Sequence, residues 1–391
     1  MTDLSRVHLV ALTGALDRSG GAERAFRAII DGFEQQLGLS VSLAAHIQPE
    51  DPEVRARATI LRPDGESVSH RMVTRMRALI AAAPRPAILF AFQINSNVVA
   101  SLANRSLPPS RRLPIVLNDR AALSEMLAVQ RSSGALGDLR ARIFAGLVRS
   151  AYRGADAVVC NAKANARLIS EFVGPDGPLI ETIYNPLDAH GFQSRFHERD
   201  RKVFQTGEPP LLVSHGRLHP QKGFDTLLRA LERLLGRGVQ ARLRIIGDGP
   251  ERGALEDLVR SLGLEDRVDM PGFSSDPWAA IEEGDVYVLP SRFEGLPNSL
   301  LEAIAIGLPS IAADCPTGPS EILDPVDEVG ALFPVDDVEA LATQIERLLA
   351  DGSLRHRMAR LARRRALDFS PQVNATAYGA LFQQILGPAD S

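Results

Sequence analysis

The sequence predicts an α/β protein with two doubly wound parallel-sheet domains. Its 391 residues exceed what one ordinary core holds, so two domains are expected. Continuous apolar runs with β-branched residues, such as Val7 to Thr13, are typical of parallel strands covered on both faces. These runs alternate with helical patterns along the chain, and that alternation favours a layer of helices on each side of a sheet.

The composition excludes several classes of protein. With 45% hydrophobic and 24% charged residues the chain is typical of a globular protein, and its formal charge of −4 argues against a nucleic-acid binder. Cys160 and Cys315 are too few and too far apart for a disulfide framework or a metal site, which fits a reducing compartment. No leader-like N-terminus or apolar stretch of about 18 residues occurs. We therefore expect a cytoplasmic protein, and a peripheral position on the cytoplasmic membrane face stays open.

The first predicted unit is a strand, a glycine loop and a helix. Gly20 and Gly21 precede the helical pattern Ala25 to Leu37, so the backbone can approach a ligand there and the helix N-terminus can face an anion. Further elements are predicted as strands at 41–45, 87–92, 115–117 and 155–161, and as helices at 71–83, 97–104 and 124–151.

Polar residues follow two of these strands. Ligands of open α/β sheets lie beyond the carboxyl ends of the strands, so Gln93, and then Asn118, Asp119 and Arg120, are predicted to line a cleft. For Asp119, a helix N-cap or a surface ion pair is weighed equally with a catalytic role.

The segment from residue 105 to 153 is basic, with nine arginines against three acidic residues, a net charge of +6. Arg140, Arg142, Arg149 and Arg153 alternate with Ile143, Phe144, Leu147 and Val148 on a predicted helix. A solvated face beside a core face is the preferred interpretation. The alternative is an interfacial helix whose arginines attract anionic lipid headgroups or an acceptor diphosphate.

A charged linker is predicted over 186–210, and a second domain begins after it. The run from Leu211 to Asp225 contains Gly216, Arg217 and Lys222 in one loop after a strand. Two fixed cations in such a loop can neutralise a diphosphate without a metal ion. His215 and His219, in the same run, could be cleft residues, but the preferred interpretation is that they are structural or solvent-facing.

The stretch 290–321 reads as loop, helix, strand and loop. Glu294 is predicted in the loop and Glu302 in the first helical turn, so that both carboxylates approach one pocket. Free N–H groups near Asn298 and Ser299 would attract an anion between them. The alternative is a capping box, in which Glu302 only returns a hydrogen bond to the backbone of Ser299.

The run 242–253 contains Gly-x-Gly-x-x-x-Gly after a strand, as a dinucleotide-binding domain would. No acidic residue follows the next strand where a ribose contact is expected. Gly247 and Gly249 are therefore interpreted as a turn that lines the cleft, and an NAD(P)-dependent oxidoreductase using the Gly247 to Gly253 loop stays as the alternative function.

Two acids separated by seven residues, after the Gly-Arg-Leu…Gln-Lys-Gly-Phe-Asp loop, resemble the donor-sugar signature of glycosyltransferase family 4, the retaining enzymes of the GT-B fold. The resemblance implies that Arg217 and Lys222 clamp the donor diphosphate and that Glu294 holds a hydroxyl of the donor sugar. It also implies that Glu302 accepts hydrogen bonds from the ribose. Further donor-binding positions implied are Gly216, Gly247, Gly249, Val268 beside the base, Leu296, Pro297, Asn298 and Ser299.

On the acceptor side the resemblance implies Gly20 and Gly21 across the cleft from the diphosphate, together with Asn118, Asp119 and Arg120. Many family members carry a histidine near Asn118, and this chain does not. The loop 315–321 resembles the branch that acts on lipid-linked or surface polysaccharides. The implied acceptor is accordingly a lipid-linked saccharide or a growing polysaccharide.

The implied organisation is an acceptor domain at 1–190, a nucleotide-sugar domain at 191–368 and a helix at 369–391 that returns to the first domain. The implied reaction is retaining transfer from a nucleotide sugar, with a UDP-sugar favoured. The nucleotide sugar is then a substrate, and neither a cofactor nor a metal is needed. A third possibility is a binding protein that kept this fold but lost turnover. The presence of all four charged residues of the signature argues against it: Arg217, Lys222, Glu294 and Glu302.

Overall fold

The computed structural model describes residues 2–16, 21–49, 52–62, 70–120, 134–187, 189–195, 209–274 and 276–387. The chain forms two compact units, one of Met1–Pro186 with Pro371–Ser391 and one of Leu187–Ser370. The boundaries expected from the sequence were 190/191 and 368/369.

The first unit contains a seven-stranded parallel sheet in the order β3-β2-β1-β4-β5-β6-β7. Its strands are β1 His8–Thr13, β2 Ser40–Ala45, β3 Ala58–Ile60, β4 Ala87–Phe92, β5 Ile115–Asp119, β6 Ala157–Cys160 and β7 Leu179–Thr182. Its helices are α1 Gly21–Gln36, α2 Pro52–Arg57, α3 His70–Ala82, α4 Ile94–Arg105, α5 Gly134–Arg153, α6 Lys163–Val173 and the C-terminal helix α15 Pro371–Leu386.

The predicted strands and helices of this unit agree with the structure to within a few residues. Four elements were not predicted from the sequence: the short edge strand β3, the short helix α2, the helix α6 and the strand β7. Of the helix predicted at 124–151, residues from Gly134 onward form α5, and residues 124–133 lie outside the described part of the chain.

One hydrophobic cluster covers each face of this sheet. Residues of α3, α4, α5 and α6 pack on one face, and residues of α1 and α15 pack on the other. Aromatic rings join α15 to α1 and β4: Phe33 meets Tyr378 edge-to-face at 5.1 Å, and Phe90 meets Phe382 at 6.5 Å. Helix α15 is therefore part of the core of the first unit.

The second unit contains a six-stranded parallel sheet in the order β10-β9-β8-β11-β12-β13. Its strands are β8 Leu211–His215, β9 Arg242–Ile246, β10 Val268–Gly272, β11 Val286–Leu289, β12 Ser310–Ala313 and β13 Ala331–Phe333. Its helices are α7 Ala189–Arg195, α8 Phe224–Gly236, α9 Arg252–Ser261, α10 Pro277–Glu282, α11 Asn298–Ile306, α12 Pro319–Ile322, α13 Val338–Ala350 and α14 Gly352–Ala366.

The linker predicted over 186–210 is partly wrong, because residues 189–195 form α7. This helix belongs to the second unit, where Phe192 meets Trp278 of α10 edge-to-face at 5.0 Å. A seven-residue helix in a charged segment is too short for periodicity to reveal it.

Strand order reverses between β8 and β11, because β8 continues to β9 on one side while β11 lies on the other. A crevice forms at such a switch point, beyond the carboxyl ends of the strands. The loops after β8 and β11 therefore define the candidate site of the second unit.

Among the described residues, no helix is long and apolar enough to cross a membrane. In the same part of the chain, no three histidine, cysteine or acidic side chains gather as a metal site would require.

Candidate functional site

Hydrogen bonds and close packing connect the loop after β8 to the loop after β11. The backbone N–H of Arg292 donates to the carbonyl of Gln221 at 2.8 Å, and the side chain of Gln221 donates to the carbonyl of Phe293 at 2.8 Å. Gly223 lies so close to the other loop that a Cβ there would stand 2.1 Å from the carbonyl oxygen of Pro290. The charged residues on these two loops are therefore held in a fixed register.

Lys222 and Glu294 form a buried ion pair across this junction. The Nζ of Lys222 lies 2.6 Å from Oε1 of Glu294, and their side chains are 18% and 9% exposed. The hydroxyl of Ser291 donates to the same Oε1 at 2.7 Å. Glu294 is thus held by a cation and a hydroxyl, with its carboxylate at the carboxyl edge of the sheet, as both predictions for these residues require.

Arg217 lies at the same edge but is exposed, and it makes no ion pair with a residue that the structure describes. Gly216, directly before it, lies against the Lys222 side chain, since a Cβ there would meet Cε at 3.5 Å. One guanidinium is thus exposed beside one ammonium that is engaged by Glu294. The Arg217 guanidinium is therefore open to an anion, whereas Lys222 can bind an anion only after its contact with Glu294 changes.

Glu302 has a different environment from the one predicted. Helix α11 begins at Asn298 with Pro297 as its N-cap, so Ser299 is the second helical residue and not the cap. The capping-box alternative is therefore wrong, and Glu302 lies in the second turn and not in the first. Glu302 is buried at 3% exposure, and its Oε2 lies 2.9 Å from Nε2 of His215.

The sequence analysis preferred a structural or solvent-facing position for His215 and did not predict its contact with Glu302. His215 ends β8 and is buried at 6% exposure against Glu302. The signal available was its position, since the last residue of a central strand points to the ligand edge of the sheet. His219 is structural as expected, because its Nδ1 accepts a hydrogen bond from the backbone N–H of Gln221.

The remaining α11 residues of the prediction lie together at the helix start. Leu296 and Pro297 are buried, and Asn298 and Ser299 open the helix, whose N-cap proline offers no side-chain acceptor. The loop after β12 packs behind them: the Thr317 hydroxyl donates to the carbonyl of Glu294. The first turn of α11 thus lies beside Glu294 with its positive dipole end at the sheet edge.

Cys315 lies in this supporting loop and is buried. Burial, and then the nearby charge of Glu294, raise the pKa of its thiol to about 12. The thiol therefore stays protonated at neutral pH, and Cys315 is not placed to act as a nucleophile.

Gly247 and Gly249 lie at the same edge, in the loop after β9. Both positions require glycine, because the backbone of the neighbouring loop lies too close for a side chain. A Cβ on Gly247 would stand 1.9 Å from the carbonyl oxygen of Gly216, and one on Gly249 would stand 2.3 Å from that of Leu218. A Cβ on Gly253 would meet nothing within 4 Å. The motif also follows the second strand of its sheet, whereas a dinucleotide fingerprint follows the first. These observations disfavour the oxidoreductase alternative.

The prediction for Val268 is wrong in its position. Val268 begins β10, at the amino end of the strand, and packs on the hydrophobic cluster of the second unit. The residues of this strand that reach the carboxyl edge are at its other end, where Gly272 pairs with Ile246. Phe273 follows Gly272 at this end of β10 and is 74% exposed.

In the first unit, Gly20 lies outside the described residues and Gly21 begins α1. Asp119 ends β5 and is fully buried, so the surface ion pair is excluded for it. It accepts hydrogen bonds from the Tyr152 hydroxyl at 2.6 Å and from Asn165 at 3.1 Å. Burial, and then the charge of Asp119, raise the pKa of Tyr152 well above its usual value.

Asn118 and Arg120 belong to a second buried network. Arg120 donates to Asn185 at 2.7 Å, to Asn118 at 3.1 Å and to the Tyr378 hydroxyl at 2.6 Å, and its guanidinium lies 4.8 Å from the Phe92 ring centroid. The Tyr378 hydroxyl donates in turn to Asn118 at 2.5 Å. These contacts tie α15 to the sheet, so the structure gives Asn118 and Arg120 a structural task.

The basic helix α5 has a core face narrower than predicted. Val148 is buried and Phe144 packs against the core, but Leu139, Ile143 and Leu147 are 56%, 57% and 43% exposed. These three residues recur every fourth position and form one exposed apolar stripe, which we call the α5 stripe.

Comparison with known proteins assigns both units to domain families. Residues 196–365 match the family described as Glycosyl transferases group 1, and residues 19–190 match Glycosyltransferase Family 4. Each unit is therefore similar to a glycosyltransferase domain family, as the sequence analysis expected. The predicted fold class is confirmed by the two parallel-sheet units and by solved structures that superpose on the chain.

Individual relatives and structures agree with this. The lipopolysaccharide core biosynthesis glycosyltransferase LpsE of Rhizobium meliloti is 33% identical over 57% of this chain and 61% of its own. The N-acetylgalactosamine-N,N'-diacetylbacillosaminyl-diphospho-undecaprenol 4-alpha-N-acetylgalactosaminyltransferase of Campylobacter jejuni is 27% identical over 57% of this chain and 59% of its own. The chain spans 24% to 61% of the length of the first curated relatives it matches. The Anabaena HepE structure, in complex with UDP, superposes with a TM-score of 0.75 at 20% identity over 97% of this chain and 100% of HepE, and this likeness concerns the fold.

Proposed function

We propose that this protein is a retaining glycosyltransferase that moves a sugar from a UDP-sugar to a lipid-linked saccharide or a growing polysaccharide. The observation that carries the proposal is the junction of Arg217, Lys222 and Glu294 beside the start of α11. A diphosphate needs fixed positive charge, and a sugar hydroxyl needs a fixed carboxylate. This junction supplies both within one pair of locked loops.

Donor binding is proposed to divide among these groups as follows. Arg217 and Lys222, with the first backbone amides of α11, neutralise the diphosphate. Glu294 accepts a hydrogen bond from a donor-sugar hydroxyl through Oε2, because Lys222 and Ser291 both contact Oε1. Glu302 accepts hydrogen bonds from the ribose, and the exposed Phe273 ring lies where a base can stack. The choice of uracil is supported by HepE, whose structure holds UDP.

The reaction we propose breaks the bond between the anomeric carbon and the diphosphate oxygen. The acceptor oxygen bonds to the same face of that carbon, and its proton passes to the departing phosphate oxygen. Negative charge grows on the diphosphate as the bond breaks, so the two cations and the helix end stabilise the transition state more than the ground state. No protein nucleophile is required, and Glu294 is not proposed as one.

The acceptor class rests on the relatives, whose names include lipopolysaccharide core and diphospho-undecaprenol substrates. The α5 stripe fits the same acceptor class, because exposed leucine and isoleucine side chains next to arginines favour an anionic membrane surface. Replacing Ile143 with aspartate should weaken sedimentation with phosphatidylglycerol vesicles. Unchanged sedimentation would remove membrane contact from the proposal and leave the transfer reaction intact.

The experiment that tests the proposal is calorimetric titration of the protein with UDP, GDP, ADP and NADPH in a metal-free buffer. Binding of UDP, followed by sugar transfer from UDP-sugars to a polyprenyl diphosphate saccharide, is the expected result. Arg217→Ala should weaken UDP binding at least tenfold, whereas Arg229→Ala, which removes an exposed arginine from α8, should not. Binding of NADPH alone would overturn the proposal.

A further inference from the structure

Glu302 is one of the predicted donor-binding residues, but its contact with His215 was not predicted. His215 ends the central strand β8, and Glu302 projects from the second turn of α11, so the contact joins the two elements that flank the switch point. The Nε2 to Oε2 distance is 2.9 Å, and both side chains are more than nine-tenths buried.

A buried carboxylate is costly unless hydrogen bonds hold it. The imidazole is held in turn, because the Tyr287 ring of β11 meets it edge-to-face at a centroid distance of 5.6 Å. With Nε2 donating to the carboxylate, the orientation of Glu302 is fixed from β8 and β11 at once. A carboxylate placed in this way cannot turn freely about its own side-chain bonds.

The other ring nitrogen marks this pair as more than a packing device. Nδ1 of His215 is buried and has no hydrogen-bond partner among the residues that the structure describes. Buried polar atoms in a purely structural contact are normally satisfied on every side. A buried, unpaired nitrogen next to a carboxylate at the ligand edge of a sheet indicates that this pair serves the site and is not a packing contact alone.

We propose that His215 is the positioning residue of Glu302 and thereby sets the affinity of the site for the nucleoside part of the donor. This inference rests on the proposed function, in which Glu302 receives the ribose hydroxyls. The imidazole N–H fixes one carboxylate oxygen and keeps the carboxylate directed toward those hydroxyls. His215 acts through Glu302, before any bond of the donor breaks.

The test uses two replacements of His215 in the full chain. His215→Phe keeps the ring and its packing but removes both nitrogens, and His215→Gln keeps a side-chain N–H that can reach Glu302. His356→Gln, an exposed histidine of α14, is the matched control. Thermal melting establishes that each variant is folded before it is titrated.

In His215→Phe, we expect the UDP dissociation constant and the UDP-sugar KM to rise on the order of tenfold, because one charge-assisted hydrogen bond to Glu302 is lost. The kcat should change less than twofold to threefold, because the ribose contact is made before and during transfer alike. His215→Gln should recover most of the loss. In a Glu302→Ala background, His215→Phe should add no further weakening.

Two results overturn the inference. Wild-type UDP affinity in His215→Phe would show that the imidazole does not position Glu302. Equal weakening in the phenylalanine and glutamine variants would show that the hydrogen bond is not the cause. If the wild-type protein binds UDP and either result is found, the inference fails alone; if the wild type binds no nucleoside diphosphate, the proposed function fails with it.

Discussion

Removal of the Lys222 ammonium should reveal how much the buried ion pair contributes to the fold as well as to the reaction. Lys222→Met keeps the length of the side chain and leaves Glu294 buried with the Ser291 hydroxyl as a remaining partner. Removing one member of a buried pair costs about 3–5 kcal/mol. Because Lys222 is 18% exposed and Ser291 stays in place, we expect the lower end, about 3 kcal/mol of the free energy of unfolding.

The second unit offers a convenient signal for this measurement. Trp278 is the single tryptophan of the chain and lies in α10, so its fluorescence during urea denaturation follows the unit that contains the pair. The variant should unfold at a lower urea concentration with an unchanged slope.

A double replacement separates the charge from its function. Lys222→Met combined with Glu294→Gln leaves no unpaired buried charge, so its stability should return to within about 1 kcal/mol of the wild type. Sugar transfer should stay absent in both variants. The reasoning is refuted if Lys222→Met loses less than about 0.5 kcal/mol, the scale of an exposed pair, or if the double variant is as unstable as the single one.

Three further predictions concern other parts of the chain. Gly247→Ala should lower the melting temperature severely, since its Cβ would stand 1.9 Å from a carbonyl oxygen of the neighbouring loop, whereas Gly253→Ala should melt as the wild type does; equal melting of the two would contradict the packing argument. Burial, and then a nearby arginine, lower the pKa of His46 to about 4 from 6.5, so the unfolded chain binds the proton first as the pH falls. Stability should therefore drop by about 3 kcal/mol between pH 6.5 and 4, and His46→Gln should flatten that part of the unfolding profile. Tyr378→Phe should lower the free energy of unfolding in urea by about 1–2 kcal/mol, because the half-buried Arg120 loses an acceptor; no loss would mean that the apolar contacts of α15 alone hold it in place.

The fold could be predicted from the sequence because parallel strands that are buried on both faces have continuous apolar sequences. The run at 87–92 coincides with β4, and the other strands of the first sheet that were predicted differ only at their ends. Elements that are short and partly polar, such as β3 and α7, carry no such run. Their existence depends on neighbours far away in the sequence, which no local pattern records.

The donor side of the site was accessible for a different reason. Lys222 and Glu294 are 72 residues apart, and the resemblance of their two loops to the donor-sugar signature of glycosyltransferase family 4 implied that they share one site. The contact of His215 with Glu302 was not predicted, because a single histidine in a strand does not indicate its partner. That partner is 87 residues away in the sequence. Val268 was misplaced because the amino and carboxyl ends of a strand look alike in sequence.

Arg120 shows where reasoning from residue type fails in principle. An arginine after a strand end can serve a ligand or a neighbouring helix, and both uses require the same exposed backbone position at the same edge of the sheet. What decides is the hydroxyl of Tyr378, which lies 258 residues later and accepts from the guanidinium at 2.6 Å. The first unit thus uses a polar cluster at its ligand edge to hold its own C-terminal helix. The acceptor contacts that we propose are therefore expected among the polar residues at that edge which this network leaves unused, such as Gln93, whose φ of 77° is unusual for a residue other than glycine.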